Sequence, residues 1–332
     1  MKNSKKIIFY GLFILLDFIL LSLIFLLGIK IYRLINGNVK GVYITNIPKQ
    51  NIIFPSNENN LKFFFEPKPN DILITNPHWL GYDVKNTVNS DTIHSTIEFS
   101  MKKDIHVYRI LALGDSFTFG YGVNTDENYI EKLQSLLNLL KCQNITKFEV
   151  INLGVEGYDV EYTIERLKKR GLKYNPDLII YLINNWNFEI RNEIQHPLML
   201  SLMNSGIPLQ DEKTGVYTAY NIAKQMYLKE YPLELTIEFQ KKRLYSLAEI
   251  YKNNLLILTF PSNSSSIKNL LETFTKINSH YSFYPVSNLL NNSEYILKDG
   301  HLNKKGHDKL AQDIMKILIK RYFNDCNNIY NK

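Results

Sequence analysis

The alternation of apolar and polar positions changes character twice along the 332 residues. Ile7 to Ile29 is a 23-residue apolar run broken by one charge, Asp17. At ~1.5 Å of rise per residue it is long enough for a hydrocarbon core of about 30 Å, so it predicts a transmembrane helix over residues 7–29. Cleavable signal peptides have apolar regions of about 7–15 residues and a small-residue cleavage site. Here the run passes directly into Lys30-Ile31-Tyr32-Arg33, which reads as an uncleaved signal anchor over residues 1–36. Asp17 near the bilayer centre would cost on the order of 2.5–3.5 kcal/mol. It reads as a tolerated charge in a strongly apolar helix or as a contact to a partner helix.

Residues 37–105 are rich in Asn, Pro, Lys and Thr, with short mixed runs such as Asn51-Ile52-Ile53-Phe54-Pro55. They predict a stalk and an irregular strand lead-in. The rhythm then becomes regular, over a domain spanning 106–325. Arg109 to Leu113, Phe148 to Leu153, Leu178 to Ile183 and Leu255 to Phe260 are short apolar runs of the kind that form buried strands. Between and after them, 126–141, 161–172 and 304–322 carry helical periodicity, the first capped by Thr125 or Asp126. Strands alternating with helices predict an α/β fold with a mostly parallel sheet covered on both faces. The segment 184–254 is too long for a plain crossover and predicts an insertion with helix-like stretches at 221–230 and 234–252, a candidate lid or cap.

Composition adds limits. With 45% apolar and 21% charged residues the chain excludes disordered, collagen-like and small disulfide-stapled classes. The formal charge is +7, of which residues 1–40 hold +5 (six Lys and Arg against Asp17), leaving +2 for the rest. The basic balance is thus a membrane-flank signal, with no electrostatic case for nucleic acid. Three Lys precede the apolar run, while Lys30, Arg33 and Lys40 follow it, so the positive-inside rule is nearly balanced. The free amino terminus and the chemistry below favour the domain on the extracytoplasmic side. Cys142 and Cys326 show no metal spacing, and sequence neither asserts nor excludes a disulfide between them.

Four loops at the predicted carboxyl edge of the sheet carry the candidate chemistry. Gly114-Asp115-Ser116 follows the first strand and exposes a serine at a tight turn. A nucleophilic serine needs that exposure, with its own N–H free to help bind an oxyanion. Asp299-Gly300-His301 precedes the last helix and could deliver a base and its orienting carboxylate together. Gly154-Val155-Glu156-Gly157 and Asn184-Asn185-Trp186-Asn187 end the second and third strands. A glycine N–H and an Asn amide are suitable oxyanion donors. His307 reads as structural, holding the loop before the last helix.

On these residues the chain resembles the SGNH hydrolases, also called the GDSL esterase/lipase superfamily, from about Arg109 to Ala311. The stretch from Asn89 to Lys103 resembles the lead-in of membrane-anchored members. The resemblance implies a flavodoxin-like three-layer α/β/α sandwich. It also implies Ser116 as nucleophile, Asp299 and His301 as its partners, and an oxyanion hole from Ser116, Gly157 and Asn184. The third block departs from the family's Gly-x-Asn-Asp, reading Leu182-Ile183-Asn184-Asn185, and leaves Asn185 and Asn187 open as donors. The last block is Asp-x-His where Asp-x-x-His is usual, a spacing shared by some relatives that act on envelope polysaccharides.

These readings lead to an expectation of a membrane-anchored serine esterase that cleaves acetyl or short-acyl esters on an envelope glycan or lipid. It would need no metal and no organic cofactor. The alternatives are an O-acyltransferase acting on an envelope polysaccharide and a non-catalytic binding module of the same fold.

Overall fold

The computed structural model describes residues 52–53, 61, 63–75, 80–204 and 212–326. The expected anchor over 1–36 and the first part of the expected stalk lie outside these residues. Among the described residues no helix is long and apolar enough to cross a membrane.

The lead-in carries β1 (Ile52–Ile53), β2 (Glu66–Pro67), β3 (Asp71–Thr75) and β4 (Val84–Val88), with β1–β2 and β3–β4 paired antiparallel. The main body follows as β5 (Val107–Leu113), α1 (Ser116–Phe119), α2 (Tyr129–Leu137), β6 (Lys147–Asn152), α3 (Val160–Arg166), β7 (Leu178–Ile183) and α4 (Trp186–Glu189). Then come α5 (Asn192–Asn204), α6 (Glu212–Glu230), α7 (Leu233–Ile250), β8 (Asn254–Thr259), α8 (Ser265–Thr275), β9 (Tyr281–Pro285) and α9 (Lys304–Tyr322).

Five strands form one sheet in the order β6-β5-β7-β8-β9, every pair parallel. The period-2 geometry of a strand explains the three layers. In β5, Ile110 and Ala112 enter one core while Leu111 and Leu113 enter the other. β7 repeats this with Leu178, Ile180 and Leu182 on one face and Ile179, Tyr181 and Ile183 on the other. The first core is closed by α2 and α9, the second by α3, α7 and α8. Each aliphatic side chain fully buried there contributes roughly 1.5–3 kcal/mol. The chain order reverses between β5 and β7, and in such sheets that is where the carboxyl edges open a crevice.

Several elements differ from the sequence reading. The helix expected over 126–141 is a 3₁₀ turn at Thr125–Glu127 followed by α2, and Asn128 caps it by accepting from the Ile130 N–H. Neither Thr125 nor Asp126 is the cap, because Asn128 is extended and puts its side chain over the first turn. The helix expected over 161–172 is α only to Arg166, then widens into a π turn over Leu167–Gly171. α8 and β9 were not anticipated. The insertion over 184–254 divides: α7 packs with α3 on the sheet, whereas residues 194–229 belong to a separate compact unit.

Residues 61–105 share the main body's unit. Glu66 and Arg166 pair at 2.7 Å with both side chains 0% exposed. Arg170 adds a second contact to Glu66 at 2.7 Å, and Arg166 also donates to the carbonyls of Leu153 and Thr92. A fully buried ion pair thus staples the described part of the lead-in to the main body.

Cys142 and Cys326 form a disulfide across a sequence separation of 184. In the chain-entropy account a loop of that length constrains the unfolded state by about 5 kcal/mol. Replacing both cysteines by serine is therefore expected to lower stability by about 2–5 kcal/mol, read as a fall in thermal midpoint. An unchanged midpoint would show that this cross-link does not constrain the unfolded chain.

Candidate active site

Ser116 opens α1 at the carboxyl end of β5, the central strand of the reversal. Asp115 caps that one-turn helix by accepting from the Phe117 N–H at 3.0 Å. Its other oxygen accepts from Trp186 Nε1 at 2.8 Å, Asn187 Nδ2 at 3.1 Å and Asn184 Nδ2 at 3.2 Å. A fully buried carboxylate thus ties the serine turn to the loop after β7 and satisfies its own charge with N–H donors. Asn187 also donates to the Tyr158 carbonyl at 2.8 Å, joining the loop after β6 to the same hub.

The serine meets a histidine distant in sequence. Ser116 Oγ lies 2.8 Å from His301 Nε2, and His301 Nδ1 lies 2.9 Å from Asp299 Oδ2. The other Asp299 oxygen accepts the His301 backbone N–H at 3.1 Å. The two-residue spacing makes this possible, because an Asx turn lets one carboxylate grip both the backbone and the ring of the same residue. A carboxylate accepts only, so Nδ1 carries the hydrogen and Nε2 is left to accept from the serine hydroxyl. Burial would raise the Asp299 pKa, but the hydrogen bond and charge of His301 outweigh it and hold the carboxyl below its ordinary value. The imidazole lies between two rings, with Phe117 at 5.1 Å and Tyr121 at 4.7 Å between centroids.

The other expected site residues border this group. Asn184 is 6% exposed and donates one amide N–H to Asp115; its second N–H has no acceptor among the described residues. Asn187 is spent, with both amide hydrogens donated and its oxygen accepting the Asn184 N–H at 2.7 Å. Asn185 turns away, its side-chain oxygen accepting the Ser264 N–H at 3.0 Å. Asn184 thus keeps one amide hydrogen undonated next to Asp115, and Asn187 keeps none. Gly157 has φ +77°, and a Cβ there would meet nothing within 4 Å, so its requirement is conformational. Gly154 is the opposite case, since a Cβ would come within 2.4 Å of the Phe119 backbone nitrogen. The loop after β6 can lie against α1 only with glycine there. Glu156, between these two glycines, is half-buried, and desolvation pushes its carboxyl up to about 7, moderated by His301.

His307 stands apart from the chemistry. It is 1% exposed in the first turn of α9, and its Nδ1 accepts the Tyr129 N–H at 3.2 Å. Burial pushes its pKa down to about 3, so it stays neutral and joins α9 to α2. The sequence reading missed the hub role of Asp115 and the place of Trp186. Asp115 lay in full view within the serine motif, and its cap position was the available signal. Among the described residues no group of three or more His, Cys, Asp or Glu side chains is arranged to hold a metal ion.

No family model matches the chain, and no curated protein matches it. Among solved structures it is similar to the lipase/acylhydrolase from Enterococcus faecalis at 15% identity, covering 67% of this chain and 98% of that one, with a TM-score of 0.41. It is similar to an acetyl xylan esterase at 16% identity, covering 64% and 100% respectively, with a TM-score of 0.40. A psychrotrophic esterase from Pseudoalteromonas is similar at 18% identity over 65% and 98%, with a TM-score of 0.38.

Proposed function

We propose that this chain is a membrane-anchored serine ester hydrolase. The observation that carries the reading is the unbroken contact chain from Ser116 Oγ through His301 to Asp299. Ser116 gives its proton to His301 Nε2 as Oγ bonds to the acyl carbon. The ester C–O bond then breaks, and the alcohol leaves with the proton from Nε2. Water repeats the sequence on the acyl-enzyme, losing its proton to Nε2, and releases the acid and free Ser116. Asp299 holds the imidazole in the Nδ1–H form throughout. The N–H groups of Ser116 and Gly157 and the free Asn184 amide hydrogen stabilise the tetrahedral oxyanion.

The substrate in this reading is an acetyl or short-acyl ester on an envelope glycan or lipid. The Cys142–Cys326 bond supports an extracytoplasmic domain, because such bonds persist in oxidising compartments. The test uses the detergent-solubilised full chain with p-nitrophenyl acetate and a fluorophosphonate probe. The wild type is expected to turn over and to label, and folded Ser116→Ala is expected to do neither. Equal labelling of Ser116→Ala, or no labelling of the folded wild type, would overturn the proposal.

A further inference from the structure

The nucleophile's helix has no slack. Its four residues are closed by Phe119 N–H to the Asp115 carbonyl at 2.8 Å and Gly120 N–H to the Ser116 carbonyl at 2.9 Å. Whatever fixes the carbonyl end of this single turn fixes Ser116 at its start. That end carries an orphan carbonyl, on Phe119, of the kind every helix terminus must satisfy. Two side chains donate to it. One is Asn128 Nδ2 at 2.6 Å, from the start of α2. The other is His94 Nδ1, from the lead-in.

His94 is 2% exposed and stacks on the Phe119 ring with centroids 4.4 Å apart and planes 24° apart. Its second nitrogen, Nε2, lies 3.1 Å from Thr125 Oγ1. A carbonyl only accepts, so Nδ1 carries the hydrogen, and Nε2 accepts from the threonine hydroxyl. Thr125 in turn accepts the Thr87 N–H of β4 at 2.7 Å. Around it, Lys85 N–H meets Asn124 Oδ1 at 2.9 Å, and Asn86 Nδ2 meets the Val123 carbonyl at 2.9 Å. The lead-in is therefore zipped to residues 123–125. Those residues follow Tyr121, whose ring packs on His301.

We propose that His94 is a positioning residue for Ser116. From the lead-in it holds the far end of the one-turn helix in the place from which the serine hydroxyl meets His301. The inference rests on the hydrolase reading for its kinetic consequence. The lead-in is then a component of the catalytic apparatus, and a chain trimmed to the α/β body would keep Ser116, His301 and Asp299 without their alignment.

Two substitutions of the full chain separate alignment from folding. His94→Phe keeps the stack and loses both hydrogen bonds. His94→Asn places an amide N–H near the position of Nδ1 and restores the donor to Phe119. Misplacing a reacting group by about 1 Å costs on the order of 10²-fold. His94→Phe is expected to lower kcat for p-nitrophenyl acetate about 10–100-fold with KM within about twofold, and His94→Asn to recover most of the loss. Hydrogen exchange read on the peptide spanning 114–123 is independent of turnover. His94→Phe is expected to raise exchange there at least about tenfold while α9 peptides keep wild-type protection.

Wild-type kcat in folded His94→Phe, or a loss shared by KM and by α9 protection, would overturn the inference. If His94→Phe does not fold, His94→Asn beside Thr125→Val decides. Thr125→Val removes the Nε2 partner and is expected to show the same kcat loss and local exchange; wild-type values for both would overturn the inference. A wild type lacking Ser116-dependent turnover would sink the hydrolase reading alone, and the exchange of peptide 114–123 would still decide whether His94 orders the turn.

Discussion

His301→Ala is expected to lower kcat for p-nitrophenyl acetate by about 10⁴-fold in a protein that melts like the wild type. Among the described residues the imidazole is the one base within hydrogen-bond reach of Ser116 Oγ, at 2.8 Å. Its removal leaves a neutral alcohol with no proton acceptor, and a 10⁴-fold loss corresponds to about 5.4 kcal/mol of barrier. Little folding energy goes with it, because the side chain is 25% exposed in a surface loop. Asp299→Asn should lie close behind, since an amide can present its N–H to Nδ1 and stabilise the wrong tautomer. His307→Ala makes the opposite pattern. It leaves the Tyr129 N–H buried without its acceptor, which costs about 1–3 kcal/mol of stability, while turnover per folded molecule stays near wild type. Equal losses of turnover in folded His301→Ala and His307→Ala would remove the base assignment.

Glu66→Ala is expected to lower stability by about 3–5 kcal/mol. The loss comes less from the attraction removed than from the Arg166 guanidinium left 0% exposed without a counter-charge. Burial alone would raise the Glu66 pKa, but the hydrogen bond from Arg170 and the charges of Arg166, Arg170 and Lys169 outweigh it and hold it below the ordinary value for a glutamate. A carboxyl with a lowered folded-state pKa contributes stability that is present above the unfolded value. That contribution is lost as pH falls through the folded value. Wild type should therefore lose stability in acid below the ordinary Glu range more steeply than Glu66→Gln, which has nothing to titrate there. Urea midpoints of the two proteins between neutral pH and pH 3 test this, and parallel curves would show that Glu66 is not ionised in the folded state.

How much of this was legible in the sequence depends on how local each signal is. β5, β7 and β8 could be read because strands buried on both faces are continuous apolar runs. β9 was hidden because Tyr281-Ser282-Phe283-Tyr284 is short, mixed and at the sheet edge, where one side needs no apolar cover. α8 was hidden behind three serines, although Ser264 caps it by accepting the Ile267 N–H. The Ser116, Asp299 and His301 set was visible since each residue sits in a turn whose local sequence advertises it. His94, Trp186 and Glu66 were not, since each owes its place to partners 25 to 104 residues away.

The covalent bridge between Cys142 and Cys326 bears on how the chain is made. Residues emerge amino end first, so Cys142 waits for 184 further residues before its partner exists. The ring that closes contains β6, β7, β8 and β9 together with Asp299 and His301, and leaves β5 and Ser116 outside it. β5 nevertheless lies between β6 and β7, inside the span the ring encloses. A nascent chain that oxidised before β5 had taken its slot would have to fit that strand between two strands already tied into one ring. Assembly of the sheet before oxidation avoids this, and it makes the carboxyl-terminal cysteine a seal applied once Ser116 and His301 are already side by side.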